Sequence, residues 1–206
     1  MEWDVFRWAV VIAGLCLCAP AFADSADTAR QLEAQAASAP MAERATLYAR
    51  AGRQWLLAGQ APRALAAQSE ALALAPDAAT YVDRSIAHRL MGRPWDAMDD
   101  LNRALDREPR HVEALVFRAE LYRAIGHLEL AMDDLERALA ISPGHPEALF
   151  ARGEMRKLAG DWDGARTDWR RVAQGKTSPV AAQARSALAA MDQSASIKPQ
   201  PVIAQR

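Results

Sequence analysis

The side chains that could do chemistry in this chain are few, and their spacing does not suit it. The histidines are His88, His111, His127 and His145. His111 and His145 open two similar strings, His-Val-Glu-Ala-Leu and His-Pro-Glu-Ala-Leu. A metal site needs donor atoms about 2 Å from one ion, and side chains on such separate segments would not converge so closely. Their place just before a helix suits helix entry instead. Asp99-Asp100 and Asp133-Asp134 offer paired carboxylates for general acid/base work. Adjacent residues on a helix point about 100° apart, so neither pair is a dyad. There is no Gly-rich phosphate loop and no nucleophile elbow. We expect no catalytic residue, no metal ligand and no cofactor, and hence no enzyme. The charges, 25 basic against 26 acidic, create no field that would draw in nucleic acid.

The elements that carry these residues are helices. Ala occurs 47 times, against 20 for Val, Ile and Thr together, which favours helix over strand. The amino-terminal stretch is different. Residues 8–18 form an uncharged apolar run that includes both cysteines, Cys16 and Cys18, and Ala21-Phe22-Ala23 follows. This reads as a secretory signal over residues 1–23, cut before Asp24. The run is shorter than the roughly 20 residues of a spanning helix, so no stable membrane insertion is expected after cleavage. The n-region carries Glu2 and Asp4 against Arg7, which departs from the usual positive start. Export across an inner membrane to a periplasm is the expected localisation. The exported chain has no cysteine, so packing alone must hold it.

The rest of the chain repeats. Pro76, Pro109 and Pro143 each close a run of the form Ala-Leu-x-x-x-Pro, defining blocks 45–77, 78–111, 112–145 and 146–179. Gly59, Gly92, Gly126 and Gly160 recur at the fifteenth position. Small residues recur at the eighth (Gly52, Ser85, Ala119, Gly153) and twentieth (Ala64, Ala97, Ala131, Ala165). Glycine ends one helix and turns the chain, small residues let two antiparallel helices approach, and proline redirects the chain.

The third block, with Leu115, Ala119, Tyr122, Gly126, Ala131, Leu135, Ala138 and Pro143, resembles the tetratricopeptide repeat, a 34-residue helix-turn-helix unit. The first two blocks fit through Tyr48, Gly52, Trp55, Ala64, Ala71 and Pro76, and through Tyr81, Ala97, Leu101, Ala104 and Pro109. The fourth decays, with Trp169 and Val172 at its later positions and Thr177 in place of proline. The resemblance implies an all-α solenoid of about four repeats over 45–179. A helical segment over 24–44, with a short helix at 25–37, and a capping helix over 180–191 would flank it. Residues 192–206 lack apolar periodicity and read as a disordered tail.

One regularity inside the repeats concerns charge. Position seven reads Ala51, Arg84, Arg118, Arg152, and position twenty-three reads Ala67, Asp100, Asp134, Asp168. Both charges are present in three blocks and absent together from the first. This predicts three salt bridges, Arg84 with Asp100, Arg118 with Asp134 and Arg152 with Asp168, each tying the first helix of a unit to its second. If partly exposed, each contributes about 0–1 kcal/mol.

In this family the first helices line a concave groove, with positions two, five, nine and twelve facing it. Here position five gives an apolar floor of Ala49, Val82, Val116 and Phe150. Position nine gives Arg53, Ile86, Glu120 and Glu154, and position twelve gives Leu56 and a basic row of Arg89, Arg123 and Lys157. Such a groove suits an amphipathic helix or extended peptide. The bland alternative pairs Glu120 with Arg123 and Glu154 with Lys157 along their own helices. The Lys and Asn that hold a chaperone's terminal carboxylate in some members are here Ala49 and Arg53, so that partner is not expected. Trp55 and Trp169 fall at packing positions, while Trp95 and Trp162 open second helices at what reads as one repeat place. Burial in the core or at repeat seams is expected for them. Exposure would instead favour an accessory subunit binding a glycan or cell-wall polymer. The expected function is a non-enzymatic scaffold for a protein or peptide partner in envelope assembly or localisation.

Overall fold

The computed structural model describes residues 19–175 and 178–196, with side chains from Asp24 to Gln193. Every described element is a helix: α1 (Ala19–Ser38), α2 (Met41–Leu57), α3 (Ala61–Leu74), α4 (Ala78–Leu90), α5 (Pro94–Arg107), α6 (Val112–Ala124), α7 (Leu128–Ile141), α8 (Pro146–Leu158), α9 (Trp162–Ala173) and α10 (Pro179–Ser196). They fall into two compact bodies divided after Ile141. In the first, α1 packs on α2, and the pairs α2/α3, α4/α5 and α6/α7 stack in series as an α-solenoid. In the second, α8 pairs with α9, and α10 packs on both.

The turn inside each pair has one cause. Gly59, Gly92, Gly126 and Gly160 have φ between 70° and 85°, a left-handed conformation that a Cβ would strain. The bond that closes the turn recurs, as in Gln60 N–H to Trp55 O at 2.8 Å and Arg93 N–H to His88 O at 2.9 Å. The entry to each following pair is capped by a side chain. Asp77 accepts from Thr80 N–H at 2.9 Å, and His111 and His145 accept through Nδ1 from the amides of Ala114 and Ala148 at 3.3 Å. Both histidines thus serve helix entry.

Within a pair, positions eight and twenty-four fit by volume. Gln68 and Trp169 fill the space left by Gly52 and Gly153, and the two intervening pairs carry Leu101 with Ser85 and Leu135 with Ala119 at the same repeat positions. A Cβ on Gly52 would meet Gln68 Cγ at 2.5 Å, and one on Gly153 would press on the Trp169 ring. The alanines at position twenty are fully buried, which brings the paired helices close.

The two ends differ from the sequence expectation in length. Helix α1 begins at Ala19 and passes through the expected cut before Asp24; the rest of the expected signal, residues 1–18, lies outside the described residues. Ala29, Leu32 and Ala36 of α1 are buried, and Glu33 accepts from Trp55 Nε1 at 2.7 Å. At the other end, α10 continues to Ser196, five residues into the expected tail. No proline interrupts the chain there, Met191 is buried, and Asp192 lies 3.6 Å from Arg166. Residues 197–206 lie outside the described residues.

Candidate interaction surface

The recurring charges of the repeats face inward. Arg84 grips Asp100 through Nε and Nη2 at 2.8 and 2.7 Å, Arg118 grips Asp134 at 2.7 and 2.8 Å, and Arg152 grips Asp168 at 2.9 and 2.8 Å. The three aspartates are buried, so the partly exposed setting and small energy expected from sequence do not apply. Removing one member of such a pair leaves an uncompensated charge, at a cost of about 3–5 kcal/mol. The hydrogen bonds from Asp100 and Asp134 hold Arg84 and Arg118 above the usual arginine range, against the opposing effect of burial. Each of these two arginines also reaches the preceding second helix: Arg84 donates to Ser69 at 3.3 Å and Arg118 to Asn102 at 2.9 Å. Ser69 and Asn102 share position twenty-five. One guanidinium therefore joins three helices and two repeats. The buried aspartates have further cations: Arg137 lies 3.2 Å from Asp134, and Arg156 lies 2.8 Å from Asp168.

The groove residues need a one-residue shift. Val82 and Val116, expected on the floor, are buried, while Ala49 and Phe150 are half-buried. On a helix, positions two, six, nine and thirteen share a face, and it is this stripe that turns outward; position five packs into the pair. Position six contributes Asp83 and Phe117 instead. Arg53 of α2 donates to Asp83 of α4 at 2.9 and 3.1 Å. Arg89 of α4 donates to Glu120 of α6 at 2.8 Å and stacks over Phe117 at 5.4 Å. These pairs cross from one repeat to the next, 30 and 31 residues apart, so Arg89 is not part of an open cationic row. Burial pushes the Asp83 carboxyl above its usual value, and Arg53 pulls it part of the way back. Leu56, Ile86, Arg123 and Glu154 are half-buried, and Lys157 is exposed and 5.8 Å from the Trp169 ring centre. The crevice lined by Ile86, Arg89 and Phe117 has no room for a water molecule.

The tryptophans divide. Trp55 and Trp169 are buried as expected, but Trp95 and Trp162 are 66% and 50% exposed, which corrects the expectation of seam packing. They also occupy different places, Trp95 two residues before Ala97 and Trp162 three before Ala165. Each stands in the first turn of its helix, where the outer side meets water. Among the described residues, no group of three or more His, Cys, Asp or Glu could hold a metal ion, and no helix is long and apolar enough to cross a membrane.

Comparison with known proteins agrees with this architecture. The family model described as tetratricopeptide repeat matches residues 112–155. No curated protein matches the chain. A tetratricopeptide repeat protein from Parabacteroides merdae is similar at a TM-score of 0.66 and 20% identity, over 89% of this chain and 74% of its own. MamA is similar at a TM-score of 0.61 and 17% identity, over 79% and 89%. YrrB, a tetratricopeptide protein with an unusual peptide-binding site, is similar at 0.55 and 18% identity, over 74% and 76%.

The fold is that of the tetratricopeptide repeat. In it, stacked helix pairs present the outward stripes of their first helices as a continuous surface. In the first body, that surface is the face of α2, α4 and α6. Sequence reasoning missed the Arg53–Asp83 and Arg89–Glu120 pairs because it sought partners three residues away on the same helix. Their signal was opposite charge close to one repeat length apart.

Proposed function

We propose that this chain is an adaptor that captures a peptide or protein segment on the outward face of α2, α4 and α6. The observation that carries the proposal is the ladder of Arg53–Asp83 and Arg89–Glu120, which fixes successive first helices side by side, with Ile86 and Phe117 partly exposed beside Arg89. A surface already ordered in this way loses little conformational freedom when it binds. The peptide-binding site of YrrB, on a similar fold, supports the same use of the scaffold. We further propose that the chain works outside the cytosol, in envelope assembly or localisation, on the strength of the apolar run at 8–18 followed by Ala21-Phe22-Ala23. A photo-reactive residue placed at Ile86 or Phe117 should crosslink a protein partner in the native envelope, whereas one at Arg103 on the outer side of α5 should not. Crosslinks from Arg103 alone would overturn the surface assignment. A second reading, binding of a glycan or cell-wall polymer, is favoured by the exposed Trp95 and Trp162 rings. It requires that Trp95→Ala with Trp162→Ala lower retention on purified cell-wall polymer.

A further inference from the structure

Most large apolar side chains left exposed among the described residues of the first body gather at one end of its helices. Leu57, Leu90, Trp95, Leu128 and Leu130 are between 40% and 66% exposed. Each stands within four residues of Gly59, Gly92 or Gly126, so they border the turns inside three successive pairs. Met41 and Leu74, also exposed, lie at the other ends of their helices. Leu57 and Leu90 hold the thirteenth position, so this turn end continues the outward stripe. Its charges lean basic: within the same four residues stand Arg63, Arg89, Arg93 and Arg123 against Asp96 and Glu129. We propose that in the uncut chain the turn end is covered by the chain's own amino-terminal segment, with residues 8–18 laid on the apolar side chains and Glu2 and Asp4 beside the arginines.

Three observations select that occupant. The first is where the described chain begins. Only Ala39 and Pro40 join α1 to α2, and the two helices pack on one another, so they run antiparallel. The start of α1 therefore lies at the carboxyl-terminal end of α2. In keeping with this, Ala26 of α1 and Ala58, beside Gly59, pack on one cluster around Trp55. The chain before Ala19 is thus delivered to the turn end. The second observation is length. Neighbouring helices lie about 8–10 Å apart, so the turns that follow α2, α4 and α6 spread over about 16–20 Å. The run of residues 8–18 covers about 16 Å as a helix and about 36 Å extended, enough to reach from α2 to α6. The third is composition. Residues 8–18 carry no charge, and before them Glu2 and Asp4 outnumber Arg7, where a secretory signal ordinarily begins with basic residues. Basic residues there would be repelled by the arginines of the turn end, whereas carboxylates are attracted. The departure at Glu2 and Asp4, which export alone leaves unexplained, thereby gains a cause. Because Leu57 and Leu90 belong to the outward stripe, the docked segment closes part of that stripe until residues 1–23 are removed; this consequence alone rests on the capture reading.

Cys16 and Cys18 are the two cysteines of the chain, so thiol alkylation reads the segment directly. In the full chain, reduced and free of lipid, iodoacetamide should modify them roughly tenfold or more slowly in buffer than in concentrated urea. Leu90→Ser, Trp95→Ser and Leu130→Ser together should bring the rate in buffer close to the rate in urea. Should that triple variant melt early, Trp95→Ser alone replaces it, since its ring is the most exposed of the five. Glu2→Lys with Asp4→Lys leaves every described residue intact and should speed the reaction by about threefold or more; an unchanged rate overturns the placement of these two carboxylates. Thiols that react in buffer as fast as in urea overturn the proposal, and so does protection that the turn-end variants leave unchanged. Protection that disappears on dilution would put the segment on a second copy of the chain and equally overturn it. Absence of a crosslink at Ile86 would count against the capture reading alone, because thiol protection needs no partner.

Discussion

The first repeat and the two that follow it reach the same helix-pair geometry by different means. In the second and third, a buried Arg–Asp pair spans the helices and reaches back to the preceding repeat. In the first, Ala51 and Ala67 fill those positions and are buried. Its first helix is instead held from outside: Trp55 donates to Glu33 of α1, with Arg63 stacked over the indole at 4.7 Å. The pair geometry therefore does not depend on the ion pair. Small residues and the left-handed glycine set it, and the ion pair fixes how one repeat sits on the next. The first repeat receives α1 in place of a preceding pair and uses a tryptophan where the others use a guanidinium.

The sharpest way to break this comparison is to remove one charge. Asp134→Ala should destabilise the chain by about 3–5 kcal/mol in denaturant unfolding. Adding Arg118→Ala, which copies the alanine pair of the first repeat, should recover much of that loss. No recovery would mean that the pair supplies net stability and not register. Next in size, Gly153→Ala should cost roughly 1–3 kcal/mol, because its new Cβ presses on the rigid Trp169 ring. Gly52→Ala meets the flexible Gln68 instead and gains helix propensity, so thermal melting should place it within about 1 kcal/mol of the parent. Gln68 itself is fully buried, with both amide atoms unpartnered. Gln68→Leu, matching Leu101 and Leu135, should stabilise the first repeat by about 1 kcal/mol.

The smallest effect is the pH dependence carried by Asp83. Its folded carboxyl has a raised pKa, chiefly through burial. The folded state therefore binds the proton more tightly than the unfolded state does. That contribution is complete below the ordinary value of 3.8 and is lost as pH rises through the folded value. Unfolding free energies measured from about pH 3 to pH 7 should fall more in the parent than in Asp83→Asn over that window. Identical profiles would contradict the assignment.

The fold was legible because its determinants are local and repeated. Positive-φ glycines, capping His111 and His145, and small residues at fixed offsets each do their work within one helix pair. The three Arg–Asp pairs were legible because they vary together along the sequence. Surface phase was harder to read. The outward stripe includes position six and not five, and a one-residue shift turns a helical side chain by about 100°, which exchanges Asp83 for Val82. Trp95 and Trp162 were misplaced for a related reason: tryptophan is apolar enough to suggest burial, but exposure in a helix's first turn depends on which side faces the neighbouring pair.

The central claim is that the outward face of α2, α4 and α6 captures a partner segment. It is tested most directly by isothermal titration of the segment crosslinked at Ile86, made as a synthetic peptide, against the parent chain and an Ile86→Ser, Phe117→Ala variant. The account predicts binding that the variant weakens about tenfold or more while its melting temperature remains close to that of the parent. Equal affinity for both proteins would contradict it.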